Sequence, residues 1–159
     1  MATMKIIGLG NPFMGDDAVG VSVARQLQPY SSVHVSILEG GLSGLSLLHD
    51  MEETDTLILI DAVHSHSKAG TIVRFTLPHD LEKIGELAWG TSASSTHAIG
   101  LAEALTLAYT LEVLPAHVVL FGIELGHLEK GQSLSPPVSN AMTTLVNRIT
   151  VEELSLYNA

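Results

Sequence analysis

The run Thr56 to Ile60 carries no charged side chain and stops at Asp61. A strand of this kind, without polar alternation, belongs in a sheet covered on both faces, which is the environment of parallel strands in α/β folds. The rest of the chain alternates between strand-like and helix-like segments around it. Met4 to Leu9 predicts a buried strand ending at Gly10 and Asn11, and Ala18 to Leu27 predicts a helix with Val19, Val23 and Leu27 at fourfold spacing. Val33 to Leu38 predicts a second strand, closed by Gly40 and Gly41, and Leu45 to Met51 a short helix. Only about ten residues separate Asp61 from the next strand, Thr71 to Thr76, too few for an ordinary parallel crossover, so this fourth strand is expected to be antiparallel.

Residues 77–96 are irregular, with a weakly helical stretch at Leu81 to Leu87 and a run of small residues from Gly90 to Ser95. His97 to Glu112 predicts a helix with Leu101, Ala104, Leu105, Ala108 and Leu111 on one face, and Val118 to Ile123 a fifth strand. Ser135 before Pro136 and Pro137 marks a helix start, and Val138, Met142, Leu145 and Ile149 form that helix's apolar stripe. The expected architecture is one domain, 1–159, built as a three-layer α/β/α sandwich on a five-stranded mixed sheet, in a phosphorylase/hydrolase-like arrangement.

Charge narrows the partners. Seven basic against 17 acidic residues give a net charge of −10, which repels phosphate backbones and anionic lipid, so neither nucleic acid nor a membrane surface is expected as a partner. With no cysteine there is no disulfide, thiolate metal site or cysteine nucleophile, and any metal must take oxygen and nitrogen ligands. Met1 to Gly10 lacks the h-region of a signal peptide, and no apolar stretch approaches the roughly 18 residues of a membrane helix. A cytoplasmic monomer is the expectation.

In open α/β sheets, ligands collect outside the carboxyl ends of the parallel strands. Three titratable residues fall there: Asp17 after the first strand, Asp61 at the end of the third, and His97 at the start of the helix leading to the fifth. Two carboxylates and an imidazole suit a borderline cation such as nickel or zinc, with coordination positions left open. Each also has an ordinary structural use: either Asp16 or Asp17 can cap the first helix, Asp61 can close a turn, and His97 can serve packing alone. The cap is assigned to Asp16 and the site to Asp17. A carboxylate directly after a buried run is costly unless compensated, which favours a functional Asp61. His97 at a helix N-terminus would be held neutral and free to ligate. His64 and His66 offer a competing chelate with Asp61, but these two, like His34, His49, His79, His117 and His127, are expected to be solvated or structural.

HExxH and GxSxG are absent. The Gly8, Leu9, Gly10 loop looks like a dinucleotide fingerprint, with Glu39 in the place of the ribose-binding acid, but Phe13 stands where its third glycine belongs.

The ordered set Gly8-Leu9-Gly10-Asn11-Pro12, Gly15-Asp16-Asp17 to Gly20, Glu39-Gly40-Gly41, Asp61-Ala62, Ser95-Thr96-His97, Gly122-Ile123-Glu124 and Leu134-Ser135-Pro136 with Val138 resembles the hydrogenase maturation proteases of nickel-iron hydrogenases. That resemblance spans almost the whole chain. It implies an endopeptidase that recognises nickel bound in a hydrogenase large-subunit precursor and removes the precursor's C-terminal tail. The family's nickel-contacting positions fall on Asp17, Asp61 and His97, which are also the catalytic candidates. Substrate handling falls on Glu39, with Gly40 and Gly41. Some family members carry glutamate at position 17, so Asp17 is one methylene shorter, and relatives often have aspartate at position 39. Leu125 stands where many have proline. The resemblance implies that nickel arrives with the precursor; three hard or borderline ligands in an open crevice are expected to hold no tightly bound cofactor, and the small side chains of residues 90–96 allow that segment to close over the tail. Two rival assignments are a peptidyl-tRNA hydrolase, which shares a strand and a GLGNP loop, and a non-catalytic nickel-dependent docking module.

Overall fold

The structure, a computed structural model, describes residues 3–40, 45–90, 100–131 and 133–156. Its strands are β1 (Met4–Gly8), β2 (Val35–Glu39), β3 (Thr56–His64), β4 (Ile72–Leu77), β5 (Ala88–Trp89) and β6 (His117–Glu124). The helices are α1 (Val19–Leu27), α2 (Leu45–Asp50), α3 (Leu81–Gly85), α4 (Leu101–Thr110) and α5 (Pro136–Arg148). The sheet order is β2-β1-β3-β6-β4, with β5 pairing β3 off this path. Neighbours among β2, β1, β3 and β6 are parallel, and β4 runs antiparallel to β6 at the edge. The sheet thus has six strands where five are expected. Two residues of β5 carry no periodicity that a sequence pattern can register.

Side chains alternate across each strand, so one sheet supplies two cores. Ile58, Ile60 and Ala62 of β3 pack with Val19, Val23 and Leu27 of α1 and Val138, Ala141 and Leu145 of α5. Leu57, Leu59 and Val63, on the opposite face, pack with Leu47 of α2, Ile84 of α3, and Leu101, Ala104, Leu105 and Ala108 of α4. The three-layer α/β/α arrangement with an antiparallel fourth strand follows. Among the described residues, no helix is long and apolar enough to cross a membrane.

Two elements depart from their expected bounds. β3 does not end at Asp61 but runs on to His64, because β6 continues beside it, with Asp61 opposite Gly122 and Val63 opposite Glu124, and β5 pairs with its last two residues. α4 begins at Leu101, not His97, since Gly100 is extended at φ −72°, ψ 171°.

The glycines of the first loop serve close packing. A Cβ on Gly20 would stand 2.4 Å from the carbonyl oxygens of both Ile60 and Leu9, and one on Gly8 would stand 2.0 Å from that of Gly20. α1 therefore lies directly on the backbone of β1 and β3 at their carboxyl ends. In an ordinary helix Gly→Ala stabilises. Gly20→Ala is expected to destabilise by about 2–3 kcal/mol through this backbone collision, while Gly85→Ala, with open space around it, stays within about 0.5 kcal/mol of the unsubstituted protein. Urea unfolding at constant m-value separates the two; equal midpoints would contradict the packing described.

Candidate active site

β1 turns towards β2 through α1, whereas β3 lies on the other side of β1, so the crevice between the carboxyl ends of β1 and β3 is a topological switch point. Gly20 seats α1 at this crevice against Ile60. Three residues before Gly20 stands Asp17; one residue after Ile60 stands Asp61. Asp17 is fully buried and Asp61 is 3% exposed. Gly90, at φ +54° directly after β5, marks where they meet: its Cβ position lies 2.8 Å from Asp17 Oδ1 and 3.2 and 3.4 Å from the two carboxylate oxygens of Asp61. Any side chain at position 90 would occupy the space between the acids. Gly90 is held there by its N–H, which donates to the Ala62 carbonyl at 2.9 Å.

Backbone groups orient the pair. Asn11 N–H donates to Asp17 Oδ2 at 2.8 Å, and Ala62 N–H donates to Asp61 Oδ1 at 2.8 Å. Burial pushes the Asp61 carboxyl well above the ordinary value of 3.8, the charge of Asp17 adds to the rise, and the Ala62 N–H opposes it. Two buried acids around one point are stable when they share a proton or a cation.

Asp16 has a different task from the helix cap expected of it. Its carboxylate makes no cap hydrogen bond. It accepts four hydrogen bonds, from Gly126 N–H (2.7 Å), His127 N–H (2.9 Å), Ser135 N–H (2.7 Å) and Ser135 Oγ–H (2.8 Å). Burial alone would raise its pKa, but these donors together lower it below 3.8. Asp16 thus ties the first loop to the loop that follows β6 and to the start of α5.

The remaining candidates are placed as follows. Glu39 closes β2 in register with Gly8 of β1, two strands and about 10 Å from β3, and pairs with Arg25 of α1 at 2.9 Å, both side chains half exposed. Gly40 N–H donates to the Gly8 carbonyl at 2.8 Å. His97, Gly41 and residues 91–96 lie outside the described residues. His64 and His66 are exposed and stack edge to face with centroids 4.6 Å apart; among the described residues no group of three or more His, Asp or Glu side chains is arranged to hold an ion, so the competing chelate with Asp61 is not formed.

Sequence reasoning assigned no role to Glu124 or Gly90. Glu124 is buried and accepts from Ser65 N–H and from Ser65 Oγ–H at 2.7 Å, fixing the turn after β3. Its signal is visible in the sequence, since it follows the apolar run Val118 to Ile123 as Asp61 follows Thr56 to Ile60. Gly90 offered no comparable signal within a run of small residues.

With this geometry established, relatives define the class. A family model for hydrogenase maturation proteases matches residues 21–152. The hydrogenase 2 maturation protease of Escherichia coli K12 is 30% identical over 135 residues, covering 84% of this chain and 79% of that protein. The hydrogenase expression/formation protein HupD of Thiocapsa roseopersicina is 30% identical over 147 residues; the match covers 89% of this chain but spans only 63% of that relative. The structure of the hydrogenase maturating endopeptidase HybD from E. coli superposes with a TM-score of 0.80 at 26% identity, covering 98% of this chain and 94% of that one. The chain belongs to the hydrogenase maturation protease family.

Asp16 and Asp61 should respond to pH with opposite sign. Asp16, with its lowered pKa, contributes stability that is present above its unfolded value and lost as pH falls through the lower folded value; Asp16→Asn should cost roughly 3 kcal/mol at pH 7 and less in acid. Asp61, with its raised pKa, contributes stability that is full below 3.8 and lost as pH rises through the folded value. The metal-free Asp61→Asn protein should therefore be more stable than the unsubstituted one at pH 7, with the advantage gone below about pH 4. Denaturant titrations at both pH values check this, and destabilisation by Asp61→Asn at pH 7 would refute it.

Proposed function

We propose that this protein is an endopeptidase that recognises nickel bound in a [NiFe] hydrogenase large-subunit precursor and removes the precursor's C-terminal extension, acting as a monomer in the cytoplasm. Family membership supports the reaction. The observation that carries the recognition step is the meeting of the Asp17 and Asp61 carboxylates at the Gly90 backbone. Two buried carboxylates at one point favour a positive charge between them, and nickel presented by the precursor supplies one. The ion belongs to the substrate, and no tightly held cofactor is required.

His97 is proposed as the third ligand. Its segment departs from Gly90, between the two carboxylates, and rejoins the described chain at Gly100, just before α4. Glu39 and Gly40, at the same end of the sheet, are proposed to flank the bound tail together with Gly41, and residues 90–96 to close over it. Holding the ion fixes the neighbouring peptide bond against the pair, so a precursor without nickel is not positioned for attack.

The catalytic type is proposed to be metal-recognising with a carboxylate base. One oxygen of the Asp17–Asp61 pair takes a proton from water as its oxygen bonds to the scissile carbonyl carbon. That proton passes to the amide nitrogen as the C–N bond breaks, releasing the tail's amino group and a new carboxyl group, which gives up the second water proton to solvent or to the amine. A net charge of −10 disfavours the RNA groove that a peptidyl-tRNA hydrolase needs.

Incubation with nickel-loaded and nickel-free precursor, followed by mass measurement, tests the proposal. Only the loaded precursor should lose a C-terminal peptide, and Asp17→Ala, Asp61→Ala and His97→Ala should each slow this by about 100-fold or more. Nickel-dependent binding with the precursor left full length would instead make the protein a docking module.

A further inference from the structure

Exposed large apolar side chains occur at both ends of the sheet, and one, Val151, lies past the end of α5. Tyr30, Val33, Tyr109, Leu111 and Val113 lie on connections leading into the amino ends of β2 and β6. At the carboxyl end, where the acids meet, Phe13 and Leu128 are the exposed ones among the described residues, at 72% and 37%.

A single exposed apolar residue is ordinary. Phe13 differs in how firmly its backbone is held. Its N–H donates to Asn11 Oδ1 at 2.9 Å, and its carbonyl accepts from Gly131 N–H at 2.8 Å. The next residue, Met14, forms an antiparallel bridge with Lys130. Asp16 ties the same two loops together through Gly126 and His127. Two cross-linked loops thus display Phe13 and Leu128, and the ring of Phe13 stays in water although nothing in its own backbone is left unsatisfied. Pre-ordering of this kind lowers the entropy lost when a partner is bound.

The loop is also continuous with the acid pair. Asn11 N–H donates to Asp17, and Phe13 is two residues further on, so its Cα lies within about 7 Å of the Asn11 Cα. With the Asn11–Asp17 hydrogen bond and the ion-to-carboxylate distance added, the span from ion to Phe13 is on the order of 12 Å, which an extended substrate strand covers in about three or four residues.

We propose that Phe13 is a specificity-determining residue whose ring receives an apolar side chain of the precursor, about three or four residues from the nickel-bearing position. This rests on the proposed peptidase activity and adds to it a second point of contact. The ion fixes the scissile bond over the carboxylates, and Phe13 adds affinity for a precursor that carries an apolar side chain at this distance from it. The contact is made in ground state and transition state alike, so it acts on binding and not on the chemical step.

The experiment is steady-state cleavage of a nickel-loaded [NiFe] hydrogenase large-subunit precursor from the same organism, with its extension intact. Phe13→Ala should raise KM about tenfold with kcat unchanged, and Phe13→Leu should restore most of the loss. Thermal midpoints of both variants should match the unsubstituted protein, because the side chain is in water. An unchanged KM for Phe13→Ala, or a fall in kcat at constant KM, overturns the assignment. So does a dimer that Phe13→Ala dissociates, since the ring would then serve a second copy of the chain. Affinity for intact precursor is measured in parallel. If the unsubstituted protein binds precursor without cleaving it, the peptidase activity fails; weaker binding by Phe13→Ala would then still support the contact, and equal binding would end it.

Discussion

The contact on which the site depends is that of Gly20 with the backbone of Ile60 and Leu9. With the Cβ position of Gly20 2.4 Å from two carbonyl oxygens, α1 can approach β3 only if that residue has no side chain. Asp17 is carried inward three residues earlier in the chain, and Asp61 emerges one residue after Ile60. The acids meet because a helix and a strand touch through glycine. Gly8 makes the same accommodation on β1, and Gly10, at φ +114°, would place a Cβ 2.1 Å from the Asp17 carbonyl, so the loop turns tightly enough to return its N–H donors to the site.

Asp16 and Asp17 show how position divides two identical side chains. Both are fully buried. Asp16 is surrounded by four donors and stays ionised as an internal anchor. Asp17 faces another carboxylate, that of Asp61, whose proton affinity is raised by burial first and by the charge of Asp17 second. The anchor braces the loop that carries both aspartates against the loop after β6, alongside the backbone bonds of Asp16 to His127 and of Gly131 to Phe13. The same bracing exposes Phe13 on an ordered backbone.

Much of this was legible in the residues. The buried run before Asp61 called for a sheet covered on both faces, the short spacing before β4 called for an antiparallel strand, and the carboxyl-end rule alone brought Asp17 and Asp61 to one crevice. The motif block from Gly8 to Gly20 pointed to the right family. What escaped notice has physical causes. Asp61 looked like the end of a strand because charge normally stops a buried run, whereas pairing with β6 and β5 carries β3 on to His64. Asp16 looked like a cap because its donors come from residues more than a hundred positions away. β5 and Gly90 make their contribution through one backbone hydrogen bond and the lack of a side chain, neither of which leaves a pattern. The first-loop glycines resembled a phosphate cradle because both uses demand close backbone approach.

The central claim is that the buried carboxylates of Asp17 and Asp61 jointly hold an ion delivered by another protein. Diffraction at the nickel absorption edge, from crystals of the enzyme soaked at high nickel concentration, tests it most directly. A single anomalous peak beside the Gly90 backbone, bonded to oxygens of both aspartates, is the predicted result. A peak on the exposed His64 and His66 pair with none between the two acids, or an ion bound by only one of them, would contradict it.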